Sequence, residues 1–348
     1  MNPSNTDVKR IGVLTGGGDC PGLNPVIRAV VRRAIRAGIE VMGIRDGWKG
    51  LVSDTIVPLD INSVSGILSR GGTILGTSRT NIYKNPADSV KAKETMAKHK
   101  LDALIAIGGE DTLGVAQRLY EEGIRVVGVP KTIDNDLSCT DYTFGFDSAI
   151  NIAMEAIDRL HTTAESHNRV IVVELMGRHT GWIAMHAGIA GGADAILIPD
   201  VENDIDLVVA ELKKRHARGK RFSIVAIAEG VKLKNTVVTQ DARVDDFGHV
   251  RLGGVGQTLA AEIERRTGYE TRTVVLGHLQ RGGSPTAFDR ILGTRFGIRA
   301  VELVLEGGFG KMVCLRGNTI ETVEIKKAIA QPKTVDGEWV KIASVFYG

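Results

Sequence analysis

The stretch Leu101–Gly123, "LDALIAIGGEDTLGVAQRLYEEG", holds the unit from which the chain is built. A short apolar run ends in a Gly-Gly pair, and a helical segment follows. The same unit recurs. "RIGVLTGG" (Arg10–Gly17) precedes "NPVIRAVVRRAIRAG" (Asn24–Gly38), and "IRVVGVPKTIDND" (Ile124–Asp136) precedes "FDSAINIAMEAIDRLHTTAESHN" (Phe146–Asn168). "RVIVVELMG" (Arg169–Gly177) leads to "TGWIAMHAGIAGG" (Thr180–Gly192). "RFSIVAIAEG" (Arg221–Gly230) is followed by a hairpin-like stretch, Val231–Val250, and then "GGVGQTLAAEIERRTG" (Gly253–Gly268). "TRTVVLGHLQRGG" (Thr271–Gly283) leads to "SPTAFDRILGTRFGIRAVELVLEGG" (Ser284–Gly308). Near-continuous apolar strands alternating with helices predict an α/β protein whose mainly parallel sheets are covered on both faces. In such folds ligands bind beyond the carboxyl ends of the strands. Those ends are unusually polar here: "TGGGDCPG", "GGEDT", "PKTIDND", "ELMGRHTG", "AEG" and "GHLQRGG".

The 348 residues are too many for one ordinary domain and suit two. A boundary near Thr143–Phe146 is expected, and the tail from about Lys311 to Gly348 reads as mixed strand and loop. Hydrophobic residues are 43% and charged residues 24% of the chain, an ordinary globular composition. Aromatics are only 5%, so the cores should be aliphatic. A net charge of +3 is too weak to argue for nucleic acid. The basic run Lys213–Arg221 has no interleaved aromatics and reads as a solvated helix end, while Arg28, Arg32 and Arg36 read as a basic stripe. The cysteines Cys20, Cys139 and Cys314 make no CxxC pair and give neither a disulfide framework nor a zinc signature. No apolar run approaches the length of a membrane span, and no secretory leader is evident. The expected location is the cytoplasm.

The strand ends carry the chemistry. "TGGGDCPGLNPVIRAV" is a glycine-rich strand-to-helix turn where backbone N–H groups and the helix dipole suit an anion. It is neither G-x-G-x-x-G nor a P-loop. In "PKTIDND", an extended Thr132–Asp136 would send Asp134 and Asp136 to one side. Two carboxylates beside a lysine and a threonine can take a proton from a hydroxyl or hold Mg²⁺ through oxygen. They can equally form a capped, Asx-rich turn. Arg178, Arg272, His278 and Arg281 stand at separate strand ends, as a sugar-phosphate clamp would require. Glu229 can accept hydrogen bonds from sugar hydroxyls or pair with one of those arginines.

The segments "GVLTGGGDCPGLN", "GGTILGTSR", "IGGEDT", "PKTIDNDL", "NRVIVVELMGRHTGW", "AEG" and "TVVLGHLQRGG", in this order, resemble the phosphofructokinases along nearly the whole chain. The resemblance implies two three-layer α/β/α domains with the active site in the cleft between them. Residues 1–145 plus about 282–320 would bind the phosphoryl donor, and 146–281 plus the C-terminal tail the sugar phosphate. It implies that Asp134 takes the proton from the C1 hydroxyl of fructose 6-phosphate, and that Asp136 assists with Mg²⁺ and orientation. Thr132 then lies near the transferred phosphoryl group, and Gly17 and Arg79 contact the donor phosphates. Met176, Gly177, Arg178 and Glu229 fall in the sugar pocket, and Arg169, Arg272, His278 and Arg281 become sugar-phosphate ligands. Arg169 and Arg272 would reach the site from a neighbouring subunit, so a homo-oligomer is implied. Glu110 matches a magnesium-binding acid.

Family members divide by donor, and Asp111 with Lys131 looks like the pyrophosphate-using type. An Asp where ATP users carry glycine would block the continuation of a nucleotide and repel its charge, while Lys131 would offset the leaving phosphate. That reading answers why a phosphate loop continues with acids: Glu110 serves the metal and Asp111 excludes the nucleotide. An ATP-dependent phosphofructokinase with an altered loop is the main rival, and a catalytically silent sugar-phosphate sensor a weaker one. A nicotinamide dehydrogenase is disfavoured, because the glycine fingerprint is broken and Arg45 stands where a ribose-binding acid belongs.

Overall fold

A computed structural model describes residues 7–234, 241–244, 247 and 250–347. Each strand–loop–helix unit read from the sequence forms, and the strands collect into two sheets. The first begins with β1 (Arg10–Thr15), β2 (Glu40–Ile44), β3 (Ile56–Leu59), β4 (Ala103–Gly108), β5 (Val126–Thr132) and the two-residue β6 (Phe144–Gly145). The second holds β7 (Val170–Leu175), β8 (Ala195–Leu197), β9 (Ser223–Ala228) and, after a short antiparallel hairpin of β10 (Asp241–Val244) and β11 (Val250–Arg251), β12 (Thr271–Val275). The chain then returns to the first sheet with β13 (Lys311–Arg316) and β14 (Thr319–Glu324). The first sheet runs β14-β13-β5-β4-β1-β2-β3, with only the edge strands β3 and β14 antiparallel to their neighbours. The second runs β12-β7-β9-β8 and is parallel throughout.

Every residue of β4, β7 and β9 is buried, as strands covered on both faces require. Around the first sheet lie α1 (Leu23–Arg36), α2 (Trp48–Val52), α3 (Pro86–Lys98) and α4 (Glu110–Glu121). Around the second lie α5 (Phe146–His167), α6 (Trp182–Ala190), α7 (Ile205–Ala217) and α8 (Val255–Thr267). Then come α9 (Ala287–Leu305), α10 (Ile325–Ala328) and α11 (Gly337–Ser344). No helix among the described residues is long and apolar enough to cross a membrane. The helix α9 packs back on α1, and their backbones nearly touch. A Cβ on Gly297 would lie 2.6 Å from the Val26 carbonyl oxygen, so no larger residue fits without separating the helices.

The tail departs from the mixed strand and loop read in the sequence. It supplies the β13–β14 hairpin and two helices, the second opened by Asp336, whose carboxylate accepts the Glu338 and Trp339 N–H groups.

The two sheets are joined through a buried carboxylate. Asp289, on the first turn of α9, accepts the Ser148 N–H at 2.9 Å and the Ser148 hydroxyl at 2.7 Å, which ties the start of α5 to the start of α9. Its other oxygen, Oδ1, is buried without a hydrogen-bond partner. Burial pushes this carboxyl up to about 6. A raised acid binds its proton more tightly in the folded chain. Its stabilising contribution is therefore present below the unfolded carboxylate value and is lost as pH rises through about 6. Thermal unfolding followed from pH 4 to pH 7 should show the wild type losing about 2 kcal/mol relative to Asp289→Asn over that window. A constant difference between the two proteins across the window would remove Asp289 as the cause.

Candidate active site

A cavity of about 800 Å³ opens where the carboxyl ends of both sheets face each other. From the first sheet come Gly17 and Gly18 after β1, Gly109–Thr112 after β4, and Lys131–Asp134 with Asp136 from the end of β5. Arg79 joins them from the loop before α3. From the second come Met176 and Arg178 after β7, Glu229 after β9, and His278 and Arg281 from the 3₁₀ turn after β12. The sequence-predicted site residues Gly17, Arg79, Glu110, Asp111, Lys131, Thr132, Asp134, Asp136, Met176, Arg178, Glu229, His278 and Arg281 thus share one space.

The turn after β5 sets most of that geometry. Pro130, which has no N–H, lies between the stretch of β5 paired with β13 and the stretch paired with β6. Beyond it, Lys131 and Thr132 pair with Phe144 and Gly145. The expected alternation of an extended Thr132–Asp136 does not occur. Asn135 takes a left-handed backbone, φ 51°, and the turn reaches the same result by another route: both acids still line the cavity. Asparagine tolerates this conformation because its side chain bonds locally. Here its Oδ1 accepts the Thr143 N–H at 3.0 Å and its Nδ2 donates to the Asp141 carbonyl at 3.3 Å. The Thr143 hydroxyl donates to the Thr132 carbonyl at 2.7 Å, and the Thr180 hydroxyl to the Asp134 carbonyl at 3.3 Å.

Lys131 is 4% exposed, and its Nζ donates to the Gly18 carbonyl at 2.6 Å. Burial lowers its affinity for a proton. The Asp134 oxygen Oδ1 is buried without a hydrogen-bond partner. Burial first, and the neighbouring Asp134 second, hold Asp136 well above the ordinary carboxylate range, with Glu110 adding to the same effect. Glu229 is raised to about 7, again by burial and then by Asp134. The Arg178 N–H donates to Glu229 Oε1 at 3.3 Å. Arg281 reaches across from the second sheet to the Asp19 carbonyl at 3.4 Å. Gly18 makes room for it, since a Cβ there would lie 1.6 Å from Arg281 Nη1.

One expectation needs correction. The N-terminus of α1 does not line the cavity: Leu23 and Asn24 are buried, and Phe144 packs against Gly22. The glycine turn presents Gly17 and Gly18 instead, without the helix dipole. Glu110 and Asp111 form the first turn of α4, where carboxylates complement the helix N-terminus. Asp111 lies 3.9 Å from Arg178 Nη1.

Arg169, Arg272 and Gly177 are outside the cavity lining. Gly177 shapes the loop, with φ 147° and no room for a Cβ beside the Thr180 carbonyl. Arg169 precedes β7 and Arg272 is the second residue of β12, about 20 Å and about 10 Å respectively from the cavity ends of those strands. Both pair with Glu270, at 2.8 Å and 2.5 Å. Gly18, Gly109, Thr112 and Ile133 lie within motifs already singled out, but Phe247 and Leu252 come from the hairpin segment and carried no sequence signal.

The phosphofructokinase family profile matches residues 10–304. A pyrophosphate–fructose 6-phosphate 1-phosphotransferase of Streptomyces coelicolor is 58% identical over 342 residues, covering 97% of this chain and all of the relative. An ATP-dependent 6-phosphofructokinase 3 of the same organism is 54% identical over 328 residues, covering 94% of this chain and 96% of the relative. Among solved structures, the Pichia pastoris phosphofructokinase in the T-state superposes with a TM-score of 0.83 at 34% identity. That match takes in 99% of this chain, which spans 40% of the length of the yeast chain. The chain belongs to the phosphofructokinase family.

Proposed function

We propose that this protein reversibly transfers a phosphoryl group from pyrophosphate to the C1 hydroxyl of fructose 6-phosphate, giving fructose 1,6-bisphosphate and phosphate. Lys131 carries this reading. Its ammonium is buried on the cavity wall, bonds a backbone carbonyl, and makes no ion pair with a carboxylate among the described residues. A buried amine that no carboxylate bridges directly, with only the through-space charge of Asp134 and Asp136 nearby, favours a further anion beside it. Asp111, facing the same space, limits how long that anion can be. Two like charges about 4 Å apart cost roughly 4 kcal/mol at an effective dielectric of 20. The Arg178 guanidinium near Asp111 takes up part of that repulsion, so steric filling by the carboxylate shares the work. An ATP donor is the second reading, favoured by the ATP-dependent relative at 54% identity.

The unpartnered Asp134 Oδ1 is the base that accepts the proton from the C1 hydroxyl. Glu229 and Arg178, with Met176, orient the sugar, and His278 and Arg281 hold its phosphate. Thr132, Arg79 and the Gly17–Gly18 backbone line the path of the moving phosphoryl group. Crowded oxygen donors and an orphaned carboxylate oxygen suit Mg²⁺, which Glu110 and Asp136 would hold. No three His, Cys, Asp or Glu side chains among the described residues converge on one point, which fits an ion completed by substrate phosphates and water. When bound, Mg²⁺ neutralises charge on the donor oxygens.

Residues 1–145 with about 282–320 serve the donor, a division supported by the packing of α9 on α1 and of β13 on β5. Residues 146–281 and the tail serve the sugar phosphate. Arg169 and Arg272, remote from their own cavity, act on the sugar phosphate of a neighbouring copy, so the working enzyme is a homo-oligomer. Three unbridged cysteines suit a reducing cytoplasm.

Asp134→Ala should lower kcat about a thousandfold while calorimetry still registers fructose 6-phosphate binding; full activity would remove the base assignment. Replacing Asp111 and Lys131 together by glycine should raise the ATP-to-pyrophosphate ratio of kcat/KM by roughly a hundredfold. An unchanged ratio would locate donor choice elsewhere.

A further inference from the structure

The segment Gln331–Val335, "QPKTV", crosses behind the cavity and touches both halves of it. On one side it follows the turn that carries the two acids. The Lys333 N–H donates to the Asp136 carbonyl at 2.8 Å, Pro332 bridges Leu137, and the Ser138 hydroxyl donates to the Gln331 carbonyl at 2.7 Å. The Lys333 ammonium donates to the Thr140 carbonyl at 2.9 Å and the Asp141 carbonyl at 2.8 Å. It also lies 5.2 Å from the Trp182 ring centroid. On the other side the strap holds the loop after β7. The Trp182 indole N–H donates to the Lys333 carbonyl at 2.7 Å. One Asp200 oxygen accepts the Val335 N–H at 2.8 Å, and the other accepts the Gly181 N–H at 2.7 Å.

We propose that this strap, with Lys333 at its centre, is a positioning element for phosphoryl transfer: it fixes the acidic turn Asp134–Asp136 against the sugar-side loop Met176–Trp182. The proposal rests on the function assigned above. Lys333 touches no atom that reacts. It acts through the carbonyls of residues 140 and 141, which close the loop that Asn135 and Thr143 brace. The proton acceptor Asp134 stands at the end of the first sheet and the residues that orient the sugar at the ends of the second, so transfer needs the two loops in one register. Misplacement of reacting groups by about 1 Å costs roughly a hundredfold in rate. A turn that only capped β5 would need no tie to β7, yet a single residue bonds both.

The test compares Lys333→Met, Lys333→Arg and Asp200→Asn with the wild type, using the donor that the wild type turns over. A failure of the donor assignment then appears in the wild type itself and leaves the variant-to-wild-type ratios readable. Lys333→Met should lower kcat at least about tenfold and raise KM for fructose 6-phosphate, with KM for the donor within about twofold. Lys333→Arg should recover most of the lost kcat, because a cation again reaches the two carbonyls. Asp200→Asn should move the same two constants in the same direction, and it decides the matter if Lys333→Met does not fold. Folded variants that melt at lower temperature but keep wild-type kcat and KM would overturn the proposal, as would an arginine variant no better than methionine.

Discussion

The bond from Lys131 Nζ to the Gly18 carbonyl is the interaction on which the site depends. It ties the glycine turn after β1 to the end of β5, two strands apart in the sheet. It also leaves an amine buried in the cavity wall, desolvated and in direct contact with no carboxylate among the described residues, although Asp134 and Asp136 act on it through space. Across the same space Asp134, Asp136, Glu110 and Glu229 crowd together, and burial with mutual repulsion raises two of them. Each set of charges is costly alone. A phosphate chain with its cation would relieve both, as the proposed function requires.

On the proposed reading, donor choice turns on local residues rather than on overall likeness. A pyrophosphate-using relative and an ATP-using relative stand at 58% and 54% identity, too close for the percentage to decide. What differs physically is the length and charge of the donor beyond its second phosphate. Asp111 lines the cavity from the first turn of α4, where the helix itself favours a carboxylate, and on the proposed reading it meets the donor there. The acid therefore fits its helix and restricts the cavity at once. That dual fit explains why an acid can stand at a position that reads, from its glycines, as a phosphate cradle.

Much of the fold was legible because the apolar strands are buried on both faces and end in glycine or charge. Many residues of the cavity were legible because in a parallel sheet the polar strand ends converge, while others, Arg79 and Met176 among them, were placed by the family resemblance. The path to that convergence was less so. Asp134 and Asp136 reach one space through the left-handed Asn135, which no alternation rule anticipates. The buried start of α1 follows from packing by Phe144, 122 residues further along the chain. Phe247 and Leu252 enter from a segment with no motif, and the strap around Lys333 lies in the tail read as mixed strand and loop. Such contacts join residues distant in the chain, and periodicity carries no information about them.

The most direct measurement is the ratio of kcat/KM for pyrophosphate to that for ATP, taken with purified wild-type enzyme, fructose 6-phosphate and Mg²⁺. A buried lysine awaiting a short anion, opposed by Asp111, predicts a ratio of about a hundred or more in favour of pyrophosphate. Brisk turnover with ATP and none with pyrophosphate would contradict the account.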